Sequence, residues 1–556
     1  MTFPLLALSV LGISAIALAV AHYTRRGFAP AIAASTAILL LHGPLYVRYT
    51  SDDAYISFRY ARNFADGLGL VWNPGQHVEG YSNFLWVLIL AGFDKGGADM
   101  LLTARWLGFA LAVLAMAGTY MLARDLLEGA AGRIAGVLAL LLLAASGPWS
   151  TWATAGLEVP LFAALVVGAV LLHLGERDAH RPPLSAVLWG LAAMSRPDGA
   201  LLVAVSGAFK IGEFAAMDDK DSRAVSRRFA MLLVWGATFA VTYLPYFAWR
   251  YDTYGWLFPN TYYAKVGSGL DQYARGVSYL LVFAQESAVW LIGLVPLVLV
   301  ARAGRRGPLL YLAAMSVAWS ADTAYVGGDA LKEFRLFAPL LPVMYATVAV
   351  AVVSVAAPLF APAEDAARRR WLPVAAGGAA LVLIAFILQS SSNRAFEIAL
   401  ERQASDQRVE MGQWLHAHVP ASTVIAVIPA GAIPYESGLP TIDMLGLNDE
   451  VIAHRDLPLG YYGPGHEKYN SEYVLSRRPD IIVLYDHLSP VPWAREDYDA
   501  LKTQILIPGL VDMVNQPTLW TTYEARTAQL GPGRWFNLLV RKDATAVLAA
   551  TEAPTK

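Results

Sequence analysis

The sequence predicts a polytopic α-helical membrane protein with a C-terminal extracytoplasmic α/β domain. Three observations lead there. Of the 556 residues, 56% are hydrophobic and only 15% charged, against about 25% charged in an ordinary soluble domain. Uncharged runs of bilayer-spanning length, about 20 residues, crowd the first two thirds of the chain. After Gln389 the pattern changes to the mixed helix and strand signals of a soluble domain.

Taken in order, the first apolar run, 3–22, lacks a basic stretch before it and is followed by Arg25 and Arg26. It reads as a retained helix and not as a cleaved signal peptide. Further candidate spans are 29–47, 100–122, 132–148, 157–174, 230–249, 286–301, 309–326, 336–357 and 372–389. Basic clusters beside span ends mark the cytoplasmic side. They are Arg25/Arg26, Arg124/Arg133, Arg177/Arg181, Arg223/Arg227/Arg228, Arg302/Arg305/Arg306 and Arg368/Arg369/Arg370. With these inside, 51–99, 149–156, 250–285, 327–335 and 390–556 lie outside, and 362–370 is a cytoplasmic loop. Two apolar segments do not read as simple crossings. Segment 84–94 is too short and ends in Asp94 and Lys95, so it is expected to lie at the outer interface. Segment 184–209 is interrupted by Ser195-Arg196-Pro197-Asp198-Gly199, which predicts two half-helices of the kind that line a cavity. The chain thus divides at 390 into a membrane domain, 1–390, and a soluble domain, 391–556. In the latter, 398–418 reads as an amphipathic helix, and Val424 to Ile428, Ile481 to Tyr485 and Phe536 to Val540 read as strands.

The net charge of −2 gives no footprint for nucleic acid. With no cysteine, disulfides, thiolate metal sites and cysteine nucleophiles are excluded.

The chemistry concentrates in the first outer loop, 51–99. Ser51 stands where an N-cap belongs, and 52–66 reads as a helix ended by Gly67. Asp52, Arg59 and Asn63 fall on one face of it. Asp52 and Asp53 suit a general base that takes a proton from an acceptor hydroxyl; the plainer reading is a helix cap and a solvated face. Glu79, Tyr81 and Asn83 follow where the chain returns to the interface. Glu158 starts a span, Arg196 sits in the broken segment, Asn260 and Lys265 lie in an aromatic stretch, and Asp329 and Arg335 flank the span at 336. Juxtamembrane anchoring explains any one of these. Their gathering on one side of the membrane fits a site in which Arg and Lys hold a phosphate and a carboxylate acts as base. In the soluble domain, the Tyr-rich loop 460–470 (GYYGPGHEKYN) suits sugar contacts, though the plainer reading is an ordinary surface loop, and His466 reads as a surface residue, since no second ligand stands at metal-binding spacing.

The acidic pair opening the first outer loop, with an interfacial helix after it, resembles the GT-C superfamily of membrane glycosyltransferases. The fuller pattern runs through Asp52-Asp53-Ala54-Tyr55-Ile56-Ser57, Arg59-Tyr60, Gly69 to Gly75 and Val78-Glu79-Gly80-Tyr81-Ser82-Asn83-Phe84. It is similar to the mycobacterial terminal β-1,2-arabinofuranosyltransferases and their bacterial relatives. Gly156-Leu157-Glu158, Arg196-Pro197-Asp198-Gly199, Gly327-Gly328-Asp329 and Asp443 to Asp449 extend the likeness. The resemblance implies a GT-C fold in a bacterial plasma membrane, a polyprenyl-phosphate-sugar donor, a cell-envelope polysaccharide as acceptor, and arabinofuranose as the sugar. It makes Asp52 the catalytic carboxylate with Asp53 beside it. In an inverting reaction Asp52 is the base; in a retaining one it stabilises the sugar cation. A divalent cation is compatible with this chemistry but not required, because Arg and Lys can neutralise a phosphate leaving group. The competing reading is a transporter or flippase of lipid-linked sugars, which should show internal repeats and charges along a through-path. A glycan-binding scaffold would leave Asp52, Asp53 and Glu158 unexplained.

Overall fold

The computed structural model describes residues 3–23, 27–46, 49–176, 181–216, 222–287, 306–359, 377–387, 392–504 and 507–554. The expected span 286–301, the loop 362–370, the boundary at 390 and Arg25/Arg26 fall wholly or mainly outside them.

Among the described residues, four helices are long and apolar enough to cross a membrane: Pro4–Ala21, Met100–Asp125, Ser222–Tyr254 and Ala338–Ala356. Shorter apolar helices, among them Phe28–Leu41, Gly129–Ala144 and Val159–Gly175, pack with them. This is the build of a multi-pass membrane protein. Apart from Arg133, the helix Gly129–Ala144 is apolar, and it is buried from Ile134 to Ala144, as a central helix must be. The helix Ser222–Tyr254 is its opposite. Only Trp235, Arg250 and Tyr254 are buried, and it exposes Leu233, Val241 and Leu244 where a soluble helix would carry charge.

Both irregular segments follow the sequence. The run 184–209 forms two helices, Ser185–Ser195 and Gly199–Ala215, parted where Pro197 removes a donor and Arg196 turns extended. The run 84–94 forms the single short helix Phe84–Lys95.

The segments 51–99, 149–156, 250–266 and 327–335 meet at one end of the bundle. Ser51 N–H donates to Ala155 O, Asn260 N–H to Glu79 O, and the Trp152 indole to Glu333 O. Arg181 and Arg228 line a small cleft with Glu176 at the opposite end.

The C-terminal part is an α/β unit. Its strands are β1 (Ile425–Val427), β2 (Thr441–Asp443), β3 (Ile481–Val483), β4 (Tyr523–Gly531) and β5 (Arg534–Arg541). The sheet order is β2-β1-β3-β5-β4; β1 runs parallel to β2 and β3, and β5 antiparallel to β3 and β4. Side chains alternate between faces. Ile425, Val427, Ile481 and Val483 pack against Met411 and Leu415 of the long helix Ser392–His418. Ala426 and Ile482 pack on the other side with Tyr498, Leu510 and Met513.

Candidate active site

The helix Asp52–Ala65 carries two faces to two destinations. Ser51 occupies its cap position, but the hydroxyl makes no bond to the helix, so the capping expectation fails in detail. Gly67, with φ of 81°, lets the chain turn back at a conformation costly for other residues. The Asp52/Arg59 face docks on the C-terminal domain. Asp52 accepts a bond from Ala432 N–H at 3.0 Å, and Arg62 donates to Tyr435 O at 3.0 Å. The turn 443–448 is held by Asp443, which accepts from Leu445 N–H and Asn448 N–H at 3.0 and 2.8 Å.

Two cavities lie on either side of this helix. The first, of 460 Å³, is walled by the helix ends of the bundle. Asp53, Ser57, Tyr81 and Asn83 come from the first loop, Glu158, Arg196 and Asp198 from two helix starts, and Tyr262, Lys265, Asp322, Asp329 and Arg335 from the opposite wall. The second, of 590 Å³, lies between the loop and the C-terminal domain. Asp52, Tyr49, Glu401 and Arg408 line it, with Tyr485, Asp486, His487 and His466 facing them. Asp53, Lys265 and Asp329 belong to both.

At this shared wall Arg335 donates to Asp329 at 2.6 Å and to Asp53 at 3.1 Å. The Lys265 ammonium stands 3.8 Å from Asp53, beyond hydrogen-bond reach, and the residue lines both cavities. Deeper in the first cavity, Arg196 bonds Glu158 at 2.9 Å and chelates Asp198, while Asn83 donates to Glu158 at 2.9 Å and bonds Ser57. Such a connected polar network holds its members rigid.

The adjacent acids have different electrostatic settings. Burial pushes the Asp52 carboxyl up, opposed by Arg408 and the Ala432 N–H. Burial acts on Asp53 too, but Lys265, Arg335 and His466 outweigh it and hold that carboxyl below the usual range.

Eight of the expected residues therefore face the first cavity: Asp53, Tyr81, Asn83, Glu158, Arg196, Lys265, Asp329 and Arg335. Asp52 faces the second. Three do not reach the first cavity, and each has a physical reason. Arg59 is buried and donates to Trp72 O, Pro434 O and Leu439 O at 2.9, 2.7 and 2.8 Å, which pins the loop to the C-terminal domain. Glu79 is closed in a buried pair with Arg250 at 2.8 Å. Asn260 donates to Gly446 O and Leu447 O at 2.8 and 3.0 Å. The loop 460–470 also differs from expectation. Glu467 is fully buried and accepts from Gly460 N–H and Tyr462 N–H, so Pro464, Gly465 and His466 are pinned into the second cavity's wall. Burial and Lys265 lower the His466 pKa.

Asp322, Arg408 and Asp486 were not singled out from the sequence. An acid inside an apolar run was a usable signal for Asp322; nothing marked the other two. Among the described residues no cluster of three or more His, Asp or Glu is arranged to hold a metal ion. The carboxylates at the shared wall, Asp53 and Asp329, face Lys265 and Arg335.

Comparison with known proteins agrees with this architecture. Over 294 residues the chain is 30% identical to the terminal β-(1→2)-arabinofuranosyltransferase of Mycobacterium tuberculosis, covering 49% of this chain and 44% of that protein. The match thus spans less than half the length of that relative. Residues 397–538 match a family described as a domain of unknown function (DUF8728). The crystal structure of ArnT from Cupriavidus metallidurans bound to undecaprenyl phosphate is similar with a TM-score of 0.57 at 13% identity, over 94% of this chain and 98% of that one. The oligosaccharyltransferase AglB from Archaeoglobus fulgidus, in complex with an inhibitory peptide and a dolichol-phosphate, gives 0.51 at 13% identity, over 97% and 74%. The chain shares the fold of these enzymes, and the resemblance to membrane glycosyltransferases read from its loops holds.

Proposed function

We propose that this protein is a glycosyltransferase that moves a sugar, arabinofuranose, from a polyprenyl phosphate to a cell-envelope glycan at the outer face of the membrane. The observation that carries this reading is the pair of cavities meeting at Asp53, Lys265 and Asp329. Transfer between a lipid-held donor and a polymer needs two binding spaces that touch at the reacting atoms. The fold-sharing enzymes were solved with undecaprenyl phosphate and a dolichol-phosphate, and the arabinofuranosyl relative supports the choice of sugar. The basic residues Arg181 and Arg228 lie at the far end of the bundle, which supports placing both cavities and the C-terminal domain outside.

In this reading the donor phosphate sits in the first cavity against Lys265 and Arg335, which offset the charge that grows on it as the glycosidic bond breaks. The acceptor glycan enters the second cavity. Asp52 takes the proton from its attacking hydroxyl in an inverting route, or steadies the sugar cation in a retaining one. A carboxyl raised toward the working pH is better suited to accept a proton than its lowered neighbour. Asp53 keeps Lys265 and Arg335 in place.

The test is transfer from synthetic polyprenyl-phospho-arabinofuranose to an arabinoside by the purified protein and its Asp52→Asn variant. Product from the wild type alone is expected. Equal product from both removes Asp52 from the mechanism. If neither gives product, arabinofuranose is excluded and other polyprenyl-phosphate sugars define the donor.

A further inference from the structure

We propose that Arg408, backed by Asp486, is a positioning residue for Asp52, so that the C-terminal domain completes the catalytic end of the site. This rests on the glycosyltransferase reading above. It gives a role to a region that matches a domain of unknown function.

The geometry is one-sided. Three features of the C-terminal domain converge on a single carboxylate of the first loop. Ala432 N–H donates to Asp52 Oδ1 at 3.0 Å. Gly431 leaves room for this approach, since a Cβ there would overlap the Asp52 carboxylate. Arg408, on the helix Ser392–His418, brings Nη1 to 3.8 Å from Asp52 Oδ1. Arg408 does not point there by chance. Its Nε donates to Asp486 Oδ2 at 2.8 Å, and Nη2 closes on the same oxygen. Asp486 follows β3 and is met on its other oxygen by His487 Nδ1 at 2.8 Å. The Arg408 and Asp52 side chains are 13% and 15% exposed, so their attraction is screened far less than on the surface.

This arrangement has a signature that simple domain docking lacks. Arg408 favours the ionised form of Asp52, and Asp486 opposes it. The other charged groups nearby are Asp53 on the same helix and Glu401 on Arg408's own helix. His487 stands behind Asp486, and Lys265, Asp329, Arg335 and His466 cluster around Asp53. Removing the cation and removing the backing acid should therefore move Asp52 in opposite directions.

The experiment compares the full-length protein with Arg408→Met, Arg408→Lys and Asp486→Asn. The acid limb of the turnover profile is expected to rise by about one pH unit or more in Arg408→Met, the usual scale for losing a nearby opposite charge. Arg408→Lys restores most of it, and Asp486→Asn moves the limb down. Limbs that stay in place, or that move the same way in Arg408→Met and Asp486→Asn, overturn the proposal. The same titration is read without turnover from the carboxyl infrared bands of protein carrying carbon-13 in its aspartate side chains, with Asp52→Asn assigning the band. If the wild type transfers no sugar from any polyprenyl phosphate, the glycosyltransferase reading falls. The infrared midpoints still decide the role of Arg408: opposite shifts support it, and unmoved midpoints refute it.

Discussion

The two cavities differ in what builds them. The first is lined largely by helix ends of the bundle, and most of its charges are met within it: Glu158 and Asp198 by Arg196, Asp329 and Asp53 by Arg335. The second is half made by the C-terminal domain, and its charges are met across the join, Asp52 by Arg408 and Ala432. Neighbours in sequence, Asp52 and Asp53 thus face different charges, Asp52 mainly Arg408 and Asp53 mainly Lys265 and Arg335. One carboxyl is raised and the other lowered. One helix wedged between two environments thus holds two unlike carboxyls side by side.

The sharpest way to break this comparison is to neutralise each acid in turn. Asp52→Asn is expected to lower turnover by about 10²–10⁴, the usual worth of a general base, with the donor KM little changed. Asp53→Asn releases Lys265 and Arg335, so its main effect should be a changed donor KM. Equal losses of turnover with an unchanged donor KM in both variants would erase the distinction.

The second test addresses what holds the loop between the cavities. Arg250→Met strands Glu79 as a buried charge, which costs about 3–5 kcal/mol when one partner of a buried pair is removed. The thermal midpoint in detergent should fall accordingly. Glu79→Gln combined with Arg250→Met should recover part of it, because the uncompensated charge is gone. A single variant as stable as the wild type would mean that the pair does not brace the loop.

Lys265 tests the first cavity's share in binding. A hydrogen bond to a charged group contributes about 1.5–3 kcal/mol, so Lys265→Met should raise the donor KM by about 10–100-fold. Lys265→Arg should keep most of the affinity. A KM change for the acceptor alone would place the phosphate elsewhere.

The same division sets what the sequence could reveal. Spans such as Ala338–Ala356 were legible because bilayer-length runs without charge have few other uses. The break at Arg196 was legible because Pro197 and two charges interrupt such a run. Strands β2 and β4 were not. β2, Thr441–Asp443, offers a single apolar residue, and β4 carries Glu524 and Arg526 in place of an apolar alternation. In the site, the loop signalled polar residues but not their partners. Asn83 and Asn260 look alike in a loop, yet one faces a cavity and the other binds two carbonyls. Arg59 shows the same ambiguity, since a guanidinium suits a phosphate and a set of backbone carbonyls equally. Arg408 and Asp486 carried no signal, because their role arises only where stretches far apart in the sequence meet.

Two glycines at that meeting give the finest test. At Gly80 a Cβ would overlap the Asn448 side chain, and at Gly431 it would overlap Asp52. The steric insult is alike, and overpacking costs about 1–3 kcal/mol, so Gly80→Ala and Gly431→Ala should lower the thermal midpoint by similar amounts. Their effects on turnover should differ. Gly80→Ala disturbs a docking contact and leaves Asp52 in place. Gly431→Ala displaces the carboxylate and, with it, the Ala432 N–H bond. At matched loss of stability, only Gly431→Ala should lower turnover of the folded enzyme and move its acid limb. If both variants lose turnover alike, the join between the domains acts as one structural seam, and the C-terminal domain has no separate hold on Asp52.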